Sequence, residues 1–289
     1  MELLQNCQGF KREFLNSEIL ILLMIKPGTK IIRAKIPSSK GNLSAVIHYP
    51  KSETERLAVL CPGYVDSKDY KHLVSLAELL SKEGYTVVRF EPTWTWESEG
   101  DISDYTVTQY LEDIKNVIEY MLDQSNYRHI LLGGHSNGGQ VSILYAARDQ
   151  RVSIVLGIMP SGPVTGQRRE KWEKAGIGIN QRDLPNNIEE KKEFHVPFSY
   201  VLDRDQYNVV GDAKKVRCPI ILIAGELDDL ASPEDVKEIF DNSNEPKRFF
   251  VIKGIEHDYR RNNNEIPIVN KKILEQLKSI QNIKTNLTA

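Results

Sequence analysis

The stretch His129-Ile130-Leu131-Leu132-Gly133-Gly134-His135-Ser136-Asn137-Gly138-Gly139-Gln140 decides the fold. Residues 129–132 form a short apolar run of strand character, residues 134–138 read Gly-x-Ser-x-Gly, and residues 140–147 continue as a helix. A serine at a sharp strand-to-helix turn sits in a strained backbone conformation with its hydroxyl presented outward. The flanking glycines are needed because side chains there collide with the strand and the helix. Ser136 is therefore the expected nucleophile.

Working outward, short runs rich in Val, Ile and Leu recur at 30–35, 44–49, 57–61, 86–90, 152–158, 220–224 and 248–252. Several are apolar throughout, as strands covered on both faces are, while the first two alternate like an antiparallel edge pair. Between them lie helical faces: Leu73, Leu76, Ala77 and Leu80; then Val107, Tyr110, Leu111, Ile114, Ile118 and Met121; and near the end Val269, Ile273, Leu277 and Ile280. Ser232-Pro233-Glu234-Asp235 reads as a helix start, with a hydroxyl cap, proline at the first position and acids in the first turn. The expected architecture is α/β: an eight-stranded, mostly parallel sheet with helices on both faces.

Residues 161–210 break that rhythm. They are too long for an ordinary connection and mix Trp172, Phe194, Phe198, Tyr200 and Tyr207 with heavy charge. An inserted cap over a site is expected there, dividing the core into residues 29–160 and 211–289. Residues 1–28 are expected to lie outside the core, with Met24 a candidate start. The apolar run at 19–25 is too short to span a bilayer, which takes about 20 residues.

Composition narrows the function classes. The chain has 289 residues, 40% of them apolar and 27% charged, enough to bury a sizeable core. Lys and Arg number 38 against 40 Asp and Glu, a net charge of −2, so nucleic acid is not an expected partner. Cys7, Cys61 and Cys218 have no metal or redox spacing, and a reducing cytoplasm is expected. No metal is expected, since there is no HExxH or other ligand cluster. No nicotinamide is expected either, since the glycines at 133–139 surround a serine and lack GxGxxG spacing.

A serine hydroxyl needs a base to take its proton. On this architecture the base follows the last strand, where residues 250–254 lead into His257; His48, His72, His129, His135 and His195 are worse placed. The acid that orients it is expected just past the strand at 220–224. Asp228 has the Gly-x-x-Asp spacing, with Glu226 and Asp229 as competitors. The order Ser136, Asp228, His257 is that of an α/β-hydrolase. The oxyanion donors are expected to be the amide after the nucleophile, Asn137, and that of Tyr64 in the loop Cys61-Pro62-Gly63-Tyr64-Val65-Asp66-Ser67, where Pro62 cannot donate. Cys61 beside that loop is expected to be a buried packing residue.

With these residues in place, the chain resembles a lidded α/β-hydrolase of the small microbial esterase group that includes feruloyl (cinnamoyl) esterases. It is similar too to monoacylglycerol-lipase-like enzymes and serine aminopeptidase-type domains. The matching pieces are Pro-Gly-Tyr-Val-Asp-Ser-Lys-Asp (62–69), Ser-Glu-Gly (98–100), Gly-His-Ser-Asn-Gly-Gly (134–139), Gly-Glu-Leu-Asp (225–228) and Gly-Ile-Glu-His (254–257), over residues 30–280. Phe198-Ser199-Tyr200 looks like the return leg of the group's cap. Two departures stand out. Pro62-Gly63 replaces the usual His-Gly, and Glu91-Pro92-Thr93-Trp94-Thr95-Trp96-Glu97 replaces an Arg-Gly-x-Gly loop.

The resemblance implies a serine carboxylesterase acting on small to medium acyl or aryl esters, hydroxycinnamoyl esters included, without a cofactor. Trp94, Trp96, Trp172, Phe198 and Tyr200 are the candidates to line its pocket, although Trp94 and Trp96 are equally suited to packing under the sheet edge. An amide or peptide hydrolase using the same triad stays open, and an amine-binding acid on the cap would favour it. A ligand-binding member without turnover stays open as well. The expected partner is a small ester, not nucleic acid or a membrane. Homo-oligomerisation is not legible.

Overall fold

The computed structural model describes residues 22–24 and 30–288. Nine strands form the main sheet. They are β1 (Leu22–Met24), β2 (Lys30–Ser38), β3 (Gly41–Tyr49), β4 (Arg56–Cys61), β5 (Thr86–Phe90), β6 (His129–His135), β7 (Val152–Ile158), β10 (Ile220–Gly225) and β11 (Lys247–Ile252). Two further strands, β8 (Ile177–Leu184) and β9 (Asn187–Pro197), pair only with each other. The main order is β1-β2-β3-β5-β4-β6-β7-β10-β11, antiparallel from β1 through β5 and parallel from there on. All eight expected strands are present. The ninth, β1, adds its backbone outside β2 and draws part of the expected N-terminal extension into the sheet. The rest of residues 1–28 lies outside the described residues.

The strands are buried for the reason their composition suggests. Residues 57–61 of β4, all of β5 and all of β10 are buried, covered on both faces by helices. One layer holds α1 (Lys71–Lys82) against α8 (Glu265–Thr288). In the other, α2 (Val107–Gln124), α3 (Asn137–Ala146), α6 (Val209–Ala213) and α7 (Pro233–Asn242) touch in succession. The helical faces read from spacing point inward: Leu73, Leu76 and Leu80 of α1 and Val269, Ile273 and Leu277 of α8 are buried. Helix α7 begins as its sequence predicts, with Ser232 Oγ accepting from the Asp235 amide at 3.1 Å while Asp235 reaches back to Ser232.

Parallel strands place all their carboxyl ends on one edge. Cys61 of β4 lies beside Gly134 of β6, His135 beside Ile158 of β7, and Gly225 of β10 beside Ile252 of β11. The loops that follow these strands therefore converge where ligands of open α/β sheets bind.

Between β7 and β10 the chain makes an excursion holding α4 (Gly166–Ala175), the β8–β9 hairpin and α5 (Ser199–Arg204). The hairpin is absent from the sequence reading because its residues are mostly polar and exposed, and a buried apolar period of two is confined to Phe194 and Val196 at the end of β9. Trp172, Phe194 and Val196 nevertheless join the core cluster.

Close backbone approach sets the geometry of the β6–α3 turn. A Cβ on Gly138 would stand 2.0 Å from the Cys61 carbonyl oxygen, and one on Gly134 2.2 Å from the same atom. Both distances are far below contact, and the obstacle is backbone. Replacing Gly138 with alanine is expected to destabilise the protein by about 3 kcal/mol, as overpacking that cannot relax does. Urea unfolding of Gly138→Ala checks this, and a loss below about 1 kcal/mol would show that β4 and α3 can separate.

Candidate active site

Ser136 occupies the turn between β6 and α3 with φ 55° and ψ −120°, a combination non-glycine residues rarely adopt. Its amide donates to the Ile158 carbonyl at 2.9 Å and its carbonyl accepts from Ser161 at 3.1 Å, so the strain is held from both sides by β7 and the turn after it. The other positive-φ non-glycine residues among those described are Val65, Trp94, Trp96 and Met159, all in loops at this edge of the sheet.

The structure brings Ser136, His257 and Asp228 into one hydrogen-bonded chain. Ser136 Oγ lies 2.9 Å from His257 Nε2, and His257 Nδ1 lies 2.7 Å from Asp228 Oδ2. The other oxygen of Asp228 accepts from the amides of Leu230 at 2.9 Å and Ala231 at 2.8 Å, which fixes the carboxylate plane. With Nδ1–H donating to Asp228, Nε2 presents its lone pair to the serine proton. The competing acids are elsewhere: Glu226 accepts from the Gly254 amide at 2.9 Å, and Asp229 is exposed. Of the remaining histidines, His48 accepts from Arg89, His195 pairs with Glu193 in the hairpin, and His129 is exposed at the start of β6.

The loop after β4 lies against the elbow. Among the described residues neither the Tyr64 nor the Asn137 amide donates a hydrogen bond. Their neighbours are tied down: Tyr110 donates to the Pro62 carbonyl at 2.9 Å, Val65 N–H donates to the Tyr105 hydroxyl at 2.9 Å, and Trp96 Nε1 donates to the Val65 carbonyl at 3.0 Å. The unusual 91–97 loop supports the same segment through charge. Lys68, fully buried, reaches Glu97 at 2.7 Å and Glu91 at 3.3 Å, while Ser67 donates to Glu91 at 2.9 Å. Cys61 is fully buried, and burial pushes its thiol up to about 12, so it is no nucleophile.

The five candidate pocket residues separate. Tyr200 stacks on Tyr105 (5.3 Å, 8° between planes) and on Trp172 (6.0 Å), and both Tyr200 and Trp172 pack on Tyr64. Trp94 and Trp96 pack on Phe194 of β9, at 5.7 and 5.4 Å, and Trp94 also reaches Tyr105 at 6.1 Å. Phe198 lies under the guanidinium of Arg169. The excursion is fastened across the site by a buried bidentate pair, Arg260 to Asp183 of β8, at 2.7 and 2.8 Å. Beside it Arg182 donates to the Tyr64 carbonyl at 2.9 Å and stands 3.3 Å from Asp66. Tyr105, Arg182, Arg204 and Asp183 are missing from the sequence reading. No local spacing marks them, since their partners lie far away along the chain.

The fold also gathers Asp66, His72 and His135, whose donor atoms fall within 4.8 Å of one another, although the sequence shows no ligand spacing. They come from the loop after β4, the first turn of α1 and the elbow, and could take a small cation. His135 Nε2 donates to the His257 carbonyl at 3.0 Å, while its Nδ1 and both nitrogens of His72 lack a partner among the described residues. Burial, with Arg260 adding to it, lowers the His72 imidazole to about 3; burial and neighbouring His257 hold His135 well below its usual value. Burial and Arg89 lower His48 to about 3.

A base whose folded pKa is depressed takes up its proton only on unfolding, so its contribution to stability is lost as pH falls from about 6.5 toward 3. Asp113, raised to about 6 by burial, acts in the opposite sense over part of this range. His72→Phe isolates one group. Between pH 7.5 and 5.5 it should lose about 1 kcal/mol less stability than the wild type in urea unfolding. Equal losses would contradict a neutral buried His72.

With the geometry established, comparison with known proteins is informative. The family described as serine aminopeptidase, S33 matches residues 52–208, a span that includes the Tyr64 loop and Ser136. The mitochondrial palmitoyl-protein thioesterase ABHD10 of Bos taurus is 21% identical over 180 residues, 60% of this chain and 56% of its own. The chain thus spans little more than half the length of that curated relative. Among solved structures, Est1E from Butyrivibrio proteoclasticus with bound ferulic acid has a TM-score of 0.69 at 20% identity, covering 86% of this chain and 98% of its own. The alpha/beta hydrolase GrgF from Penicillium sp. sh18 has a TM-score of 0.72 at 20% identity with the same coverage. Likeness at this identity shows the α/β-hydrolase fold. Among the described residues no helix is long and apolar enough to cross a membrane.

Proposed function

The chain belongs to the serine aminopeptidase S33 family, and we propose that it is a serine carboxylesterase whose nucleophile is Ser136. The observation that carries this reading is the continuous chain from Asp228 through His257 to Ser136, at 2.7 and 2.9 Å, beside two backbone amides with no partner among the described residues. In the first half-reaction His257 Nε2 takes the Ser136 proton as Oγ attacks the ester carbonyl carbon. The amides of Tyr64 and Asn137 receive the oxyanion, Asp228 stabilises the imidazolium, and His257 returns the proton to the departing alcohol. Water then attacks the acyl-enzyme with His257 again as base, regenerating Ser136.

The excursion between β7 and β10 serves in this reading as the cap. It brings Trp172 and Tyr200 to the Tyr64–Tyr105 pair, an aromatic wall that suits an aryl or medium acyl group. The same segment weighs against an aminopeptidase. Its cations Arg168, Arg182 and Arg204 are the charged groups from the cap that act on Tyr64, and they would repel a free amino terminus. Two of the relatives, the Est1E structure with bound ferulic acid and a palmitoyl-protein thioesterase, are compatible with an acyl substrate.

Purified protein should hydrolyse p-nitrophenyl esters between C2 and C8, and methyl ferulate, faster than alanine p-nitroanilide. Ser136→Ala should lower kcat by at least about 10³-fold. Turnover of the anilide alone would replace the reading by an amidase, and no Ser136-dependent turnover would leave a binding protein.

A further inference from the structure

Arg204 ends α5 on the return leg of the excursion and is buried, 4% exposed. Its Nη1 donates to Asn137 Oδ1 at 2.8 Å and to the Tyr200 hydroxyl at 3.0 Å. Its Nη2 donates to Ser161 Oγ at 2.8 Å and to the Gly162 carbonyl. None of these acceptors carries a charge. The acids flanking it in sequence are engaged elsewhere: Asp203 accepts from the Thr108 amide at 3.0 Å, and Asp205 pairs with Arg169 at 2.8 Å. Among the described residues no carboxylate lies within ion-pair distance of Arg204.

A buried cation without a counter-ion opposes folding, and its retention calls for a compensating gain. The gain is available one residue away, because Asn137 follows the nucleophile and its amide faces the developing oxyanion. Arg204 and Tyr200 together hold the Asn137 side chain through Oδ1, and Arg204 with Ser161 holds the turn whose Ser161 amide donates to the Ser136 carbonyl. We propose that Arg204 is a positioning residue for the ester hydrolysis assigned above: it fixes the Asn137 amide and sets an uncompensated positive charge behind the oxyanion. The inference rests on that assignment. A neutral ester gains little from this charge in the ground state, whereas the tetrahedral anion gains much, so the effect falls on kcat and spares KM.

The test measures kcat and KM for p-nitrophenyl butyrate in wild type, Arg204→Gln and Arg204→Lys, per active site titrated with a fluorophosphonate. Inhibition by phenylboronic acid, whose Ser136 adduct is a tetrahedral anion, is measured alongside. Arg204→Gln should lose about 30-fold in kcat with KM within threefold, and its boronate Ki should rise by a similar factor. Arg204→Lys, which keeps the charge and loses the fork, should recover most of both. Should Arg204→Gln not fold, Arg204→Met, uncharged and of similar length, is held to the same two criteria. The inference is overturned if kcat per titrated site stays within threefold of wild type in Arg204→Gln, or if kcat falls while boronate affinity does not. Absence of Ser136-dependent turnover in the wild type overturns the assigned function instead, which sets the two failures apart.

Discussion

Where the first turn of α3 crosses the end of β4, two stretches of backbone approach so closely that no side chain fits between them. Gly134 and Gly138 face the Cys61 carbonyl at that crossing, and much of the site depends on it. It lets Ser136 adopt a backbone conformation that strands and helices do not use, and it brings the segment 62–64 alongside the N-terminus of α3. Two amides from separate elements can then face one point, as an oxyanion requires. The strain at Ser136 persists because hydrogen bonds from β7 and from the 159–161 turn over-determine it.

Around this crossing the protein arranges charge in two ways. Toward the sheet edge, Lys68 is neutralised by Glu91 and Glu97, and Arg89 by Asp69, so the loops after β4 and β5 are bound by ion pairs to two buried cations. Toward the excursion, Arg260 is matched by Asp183, while Arg204 is solvated only by neutral oxygens. The first kind of contact holds shape. The second, on the proposal above, leaves the Arg204 charge unpaired near the Asn137 side chain, on the side where a tetrahedral adduct would place its negative charge.

The sheet, its helices and the central three residues are legible in the sequence because each leaves a local mark. Apolar runs mark strands buried on both faces, Ser232-Pro233 marks the start of α7, and the Gly-x-Ser-x-Gly turn reports its own sterics. Asp228 and His257 are legible by position, since each follows a strand whose end must lie at the same edge. The excursion is legible as an interruption but not as a hairpin, because β8 and most of β9 are polar and exposed, and only Phe194 and Val196 at the end of β9 alternate as buried apolar residues. Trp94 and Trp96 stay ambiguous in sequence because an aromatic side chain serves a pocket wall and a packing contact equally well, and their partners, Phe194 with Tyr105 and Tyr70, come from distant segments.

By itself, then, the sequence determined the α/β class through periodicity and the candidates Ser136, Asp228 and His257 through the sterics of one turn and their positions after strands. Tertiary structure alone decided what surrounds them. Arg204 reaches Asn137 and Ser161, Arg182 reaches Tyr64, and His72 meets His135 across separations no local pattern records. The physical reason is that burial and charge are properties of a place in space. Whether a guanidinium has a counter-ion, or an imidazole a proton, is settled only when distant segments have packed.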